Sequence, residues 1–235
     1  MPTVTTETAV DQSPADSAKP VLVMVPGLGA NGDVYRPLLD YLSHHYDVRS
    51  AELPSDFPPV LGWDFFFDSI EAAAGTADRF SLVSHSMGGA VALKYAATHP
   101  DRVVRTVAVA PVLFPFRRAR IGISERFHNA ALAIRGGHFR HLFRVLRIIR
   151  QQAGEGRARK LYRFLHTIDL GRDLPRITQA AILWPRREEI IPTKQYQRVE
   201  RDHPELAGGY IKGSHHTIAL APEAVLSAIR SALDG

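Results

Sequence analysis

Short, valine-rich apolar runs alternate with helix-length stretches along this chain, and that alternation constrains its fold more than any other feature. "VLVMV" (21–25), "DVRSAEL" (47–53), "FSLVSH" (80–85) and "RVVRTVAVA" (102–110) read as strands. Between them lie "DVYRPLLDYLSHHY", "WDFFFDSIEAAAGTADR" and "MGGAVALKYAATHP". The first has Val34, Leu38, Leu39 and Leu42 at helical spacing, with Asp33 as the expected N-cap. The second is expected to end near Gly75, and Pro100 stops the third. Strand–helix repeats of this kind build an α/β fold, a mostly parallel sheet with helices on both faces.

From Val112 to about Asp173 the rhythm breaks. It resumes with "AAILWP" (strand), "TKQYQRVERD" (helix), "LAGGYIKG" (strand) and "PEAVLSAIRSAL" (helix), giving about six strands in all. The expected organisation is a disordered leader at 1–19, a core formed by 20–111 and 176–235, and a helical cap inserted at 112–175. Within the insertion, "HFRHLFRVLRIIRQ" places Phe139, Leu142, Phe143, Leu146 and Ile149 on one helical face with arginines around the other. "KLYRFLHTI" reads as a further short helix.

Charge follows the same division. Residues 112–174 hold 14 Arg and Lys against 4 Asp and Glu, while the whole chain carries a net charge of only +5, so the remainder is mildly acidic. A basic insertion of this kind suits an anionic lipid surface or an acidic carrier or substrate. No nucleic-acid-binding motif accompanies the charge, so no nucleic-acid partner is expected. The absence of cysteine excludes disulfides and thiolate metal sites. The first twenty residues lack a basic n-region and an apolar core, and no apolar run approaches the ~20 residues of a membrane span. A cytoplasmic protein is the expectation.

Two motifs bear on chemistry. In "PGLGANGD", Gly27, Gly29 and Gly32 spell G-x-G-x-x-G after a strand, and Glu52 stands twenty residues further on, as in a dinucleotide-binding fingerprint. Against that reading, Asn31-Gly32 is a turn signal rather than a helix start, and Asp33 brings negative charge to the place of the phosphates. In "LVSHSMGGA" a strand turns directly into a helix at Ser86. Such a corner exposes a hydroxyl above the carboxyl ends of the strands, where the helix N-terminus offers free N–H groups to an oxyanion. A serine nucleophile needs a base and an orienting acid. Glu188 and Glu189 follow one late strand, and His215 and His216 follow the last, all at the same edge of a parallel sheet. The neighbouring His85 should point to the other face of its strand and be packed rather than catalytic.

From about Val21 onward these motifs resemble the α/β-hydrolase superfamily in its lipase/esterase-like branch. "SHSMGG" is similar to the nucleophile elbow, which implies Ser86 as nucleophile and the Met87 N–H as one oxyanion donor. "VPGLGANGDVYRPL" resembles the oxyanion loop, which implies the Leu28 N–H as the second donor and accounts for the glycines. Counting back from Pro192 in "LWPRREEIIP" puts Glu188 on the family's acid, with Glu189 as fallback. Counting back from Pro222 in "HHTIALAPE" puts His215 on its histidine. The chain departs from the family pattern at Ser84 (usually Gly), at Pro26 (usually His), in using Glu for Asp, and in "LPSDFPP", which lacks a Gly-x-Gly turn. The two N-terminal strands of larger members are also missing. The resemblance implies a cofactor-free, metal-free serine hydrolase that cleaves a carboxylic ester or thioester through an acyl-enzyme; as a cap, the insertion would place Phe139, Phe143 and Leu146 over Ser86, which favours an apolar acyl group. The alternatives are an inactive hydrolase-fold binding protein and, further off, a dinucleotide-binding protein.

Overall fold

The computed structural model describes residues 18–54, 56–115, 156–188 and 190–235. Residues 1–17 of the expected leader, the "HFRHLFRVLRIIRQ" helix and Glu189 lie outside those residues. Among the described residues six strands form one sheet: β1 (Val21–Val25), β2 (Asp47–Ser50), β3 (Phe80–His85), β4 (Val103–Val109), β5 (Ala180–Arg187) and β6 (Ala207–Ser214). Their order is β2-β1-β3-β4-β5-β6 and every pairing is parallel. β3 is buried along its whole length, as expected of a central parallel strand covered on both faces.

Helices cover the two faces in two groups. On one side, α2 (Trp63–Ala74), α3 (Met87–Thr98), α4 (Arg157–Leu165) and α5 (Lys194–Asp202) supply Phe66, Leu93, Phe164 and Tyr196 to a common apolar core. On the other, α1 (Arg36–Leu42), α6 (Thr217–Leu220) and α7 (Leu226–Asp234) supply Leu38, Ile218 and Ile229 to a second core. Among the described residues, no helix is long and apolar enough to cross a membrane.

One local expectation changes. A 3-10 turn (Gly32–Tyr35) precedes α1, so the helix does not begin at Asp33, which pairs instead with Arg36 at 2.8 Å. Pro37 explains this, because a helix begun at Asp33 needs the Pro37 N–H that proline lacks, whereas Pro is tolerated in the first turn of a helix starting at Arg36. After His216 the chain also forms a short helix over Thr217–Leu220. Gly75 does end α2, with the positive φ of 61° that favours glycine there.

The described ends of the 112–175 segment are fastened to each other and to the body. The Leu170 N–H donates to the Leu113 carbonyl at 2.9 Å. Buried Gln195 accepts from the N–H groups of Leu113 and Phe114 and donates to the Phe114 carbonyl. Lys94 of α3 meets the largely buried carboxylate of Asp173 at 2.7 Å. "KLYRFLHTI" begins within α4, whose Phe164 packs on Trp63 and Phe66 of α2.

Candidate active site

Because all six strands are parallel, the residues that follow them gather at one edge. The chain turns back at β1, placing β2 on one side of it and β3 on the other, and such a switch point opens a crevice at the strand ends. Ser86 stands there, directly after β3 and at the N-cap of α3, with φ 57° and ψ −121°. Ala110, after β4, is the other non-glycine residue with positive φ among the described residues. A side chain held in such a region costs of order 1–3 kcal/mol, so the surrounding bonds must impose it. The Ser86 N–H donates to the Val109 carbonyl, and the Ser86 carbonyl accepts from Val112.

The elbow closes because its neighbours are small. A Cβ on Gly88 would overlap the carbonyl oxygens of Val25 and Pro26, and one on Gly89 would come within 2.7 Å of Pro111. Ser84 fits in the place where the family usually has glycine. It is fully buried, and its hydroxyl donates to the Val107 carbonyl of β4 at 3.2 Å.

On the other flank of Ser86, Gly27 to Ala30 form a tight turn closed by the Ala30 N–H on the Gly27 carbonyl. Gly29 has φ 66°, as the third residue of a type II turn requires. Neither the Leu28 N–H nor the Met87 N–H has a partner among the described residues. Gly32 is pressed against Ser50, and its N–H donates to Glu52 Oε1 at 2.8 Å. The acid that a dinucleotide fingerprint would turn toward a ribose is thus engaged in holding its own loop. Between this turn and α3 lies an apolar recess lined by Pro26, Ala30, Leu53, Phe66, Met87 and Val91.

Glu188 and His215 meet at the far side. Glu188 Oε2 accepts from His215 Nδ1 at 2.8 Å, with side chains 0% and 4% exposed. The other oxygen, Oε1, accepts the N–H groups of Ile190 and Ile191 at 2.9 and 3.0 Å. The carboxylate is therefore fixed from both sides, which fixes the imidazole in turn. The turn that delivers His215 depends on Gly213, at φ 112° against Thr217, whose hydroxyl accepts the Ser214 N–H at 2.7 Å. His216 is only half-buried.

His85 is buried at 4% exposure, and its ring lies 4.6 Å from that of His215. Its desolvation, with smaller contributions from His215 and His216, holds it well below the usual histidine range. Sequence reasoning expected a packed ring but missed its partners. The Tyr35 hydroxyl, the amides of Ile190 and Ile191, and Thr217 carry no motif that announces them.

A family model for alpha/beta hydrolases matches residues 22–228. The chain belongs to the alpha/beta hydrolase family. Curated relatives of this alpha/beta hydrolase include a pimeloyl-[acyl-carrier protein] methyl ester esterase of Aliivibrio salmonicida (strain LFI1238). The two are 32% identical over 91 residues, which is 38% of this chain and 35% of that protein. A probable 1-acylglycerol-3-phosphate O-acyltransferase of Oryza sativa subsp. japonica is 33% identical over 114 residues, covering 40% of this chain and 26% of that one. The matches thus span about a third or less of these relatives. In fold, the alpha/beta hydrolase core is similar to a thermophilic esterase from Thermogutta terrifontis. The TM-score is 0.68 at 19% identity, over 92% of this chain and 90% of that one.

Proposed function

We propose that this alpha/beta hydrolase is a serine esterase that cleaves a carboxylic ester through an acyl-enzyme. The observation that carries the reading is the closed Glu188–His215 pair at the strand edge that also bears the strained Ser86. His215 takes the proton of Ser86 Oγ as it attacks the ester carbonyl, and the N–H groups of Leu28 and Met87 stabilise the oxyanion. Glu188 orients His215 and stabilises its charged form. His215 then protonates the leaving alcohol, and water, deprotonated by the same imidazole, releases the acid. This assigns the catalytic roles to His215 and Glu188 rather than to their sequence neighbours.

The recess beside Met87 has an apolar lining, which favours an uncharged group on that flank of the site. An acid ester on an acidic carrier is the substrate class we favour. The basic composition of residues 112–174 complements such a carrier, and the relative from Aliivibrio salmonicida bears the name of an esterase for an acyl-carrier-protein-linked methyl ester. A cap formed by 112–175 over the site remains part of this proposal. Acyl transfer to an alcohol is a second reading, favoured by the name of the rice relative.

A panel of esters and thioesters of increasing acyl length, free and carrier-linked, tests the assignment. The expected result is hydrolysis by wild type that is lost in Ser86→Ala and His215→Ala and retained in His216→Ala. Loss in His216→Ala with activity intact in His215→Ala reverses the register. Inactivity across the panel favours a binding protein on a hydrolase fold.

A further inference from the structure

One buried ionisable ring at this edge has no step in the proposed reaction. His85 touches two loops that the reaction needs. Its Nε2 lies 2.8 Å from the His215 backbone carbonyl, and its Nδ1 lies 2.8 Å from the Tyr35 hydroxyl. The same hydroxyl lies 3.0 Å from the Gly27 nitrogen.

The direction of each bond follows from the chemistry of its atoms. A carbonyl only accepts, so Nε2 carries a proton and donates to His215 O. The Gly27 N–H only donates, so it occupies a lone pair of the Tyr35 oxygen. The Tyr35 proton then needs an acceptor in a fully buried site, and His85 Nδ1 is the one present. His85 is therefore the neutral Nε2–H tautomer. The packing is equally tight, since a Cβ on Gly27 would lie 3.2 Å from both His85 Nδ1 and the Tyr35 oxygen.

We propose that Tyr35 and His85 are positioning residues: a hydrogen-bond bridge that ties the oxyanion loop at Gly27 to the loop carrying His215, across the back of the Ser86 elbow. The bridge spans the carboxyl ends of β1, β3 and β6. It sets the distance between the Leu28 N–H and the His215 ring, both of which must address one tetrahedral centre. Preorganisation of this kind acts on kcat, because the two groups are needed together only when charge develops on the substrate. The inference rests on the proposed roles of Ser86, His215 and Leu28.

Tyr35→Phe removes one oxygen and keeps the ring. With active sites counted by fluorophosphonate titration, kcat per titrated site is expected to fall about tenfold with KM within about twofold. A residue that only supports folding would lower the number of titratable sites and leave kcat per site unchanged, and that result overturns the proposal. His85→Gln keeps a donor for His215 O and an acceptor for Tyr35. It is expected to retain more activity per site than His85→Leu, and equal losses contradict the bridge. Side-chain 15N NMR reads the bridge without activity. Wild-type His85 is expected as the Nε2–H tautomer, with the resonance altered in Tyr35→Phe. An Nδ1–H tautomer, or no change on removing the hydroxyl, sinks the inference even where the esterase assignment stands. If instead Ser86→Ala keeps wild-type turnover while the NMR result holds, the fault lies in the proposed function and the bridge is structural only.

Discussion

At the scale of residues, three carboxylate contacts underlie the role proposed for Glu188. Oε1 faces two backbone donors and Oε2 faces the His215 Nδ1. Glu188→Gln makes this pattern impossible to satisfy. If the amide oxygen accepts from Ile190 and Ile191, its NH2 faces His215 and demands the wrong tautomer; if it turns round, the NH2 meets two N–H groups. The expected outcome is a kcat lower by roughly three orders of magnitude with KM little changed, measured by steady-state hydrolysis. A loss below about tenfold would show that the carboxylate is not the orienting acid. The acid proposed here was only half legible in the sequence. Two adjacent glutamates follow the strand, and only the count to Pro192 separates them. The two amides that hold the chosen one belong to a loop whose path no side-chain pattern encodes.

At the scale of elements, the alternation of apolar runs and helices was enough to read a parallel sheet with helices on both faces, because strands buried on both faces have few polar positions. Asp33 carries a cap signature, but Pro37, four residues on, moves the start of the helix to Arg36. The fastening of the 112–175 segment could not be read at all. It rests in part on Gln195, one polar residue on α5, reaching three backbone groups more than eighty positions earlier. Gln195→Leu keeps the volume and leaves those buried groups unpaired. It is expected to destabilise the protein by about 2 kcal/mol or more, read as a lower urea midpoint at unchanged m-value. An unchanged midpoint would mean that water replaces the side chain and that the clamp is weak.

At the scale of the whole molecule, stability carries a signature of the buried His85. Desolvation, and then the nearby rings of His215 and His216, depress its affinity for a proton. Unfolding returns the ring to water, where it protonates below about pH 6.5. In that range the unfolded state binds more protons than the folded state, so stability falls as pH drops toward the folded-state value. Above about pH 6.5 the contribution is complete. Urea unfolding at about pH 7.5 and 5.5 should therefore show a loss in wild type, at most about 1.4 kcal/mol per pH unit from this group, and a smaller loss in His85→Gln. Equal losses in both proteins would mean that the ring takes up its proton over the same pH range folded and unfolded.

The reading of the whole molecule as an esterase rests on Ser86 being the atom that attacks. Treatment with a fluorophosphonate followed by intact-mass measurement and peptide mapping addresses that directly. The account predicts one adduct per chain on Ser86, no adduct in Ser86→Ala, and slow labelling in His215→Ala. A wild-type protein that stays unlabelled, or an adduct on another residue with hydrolysis intact in Ser86→Ala, would contradict it.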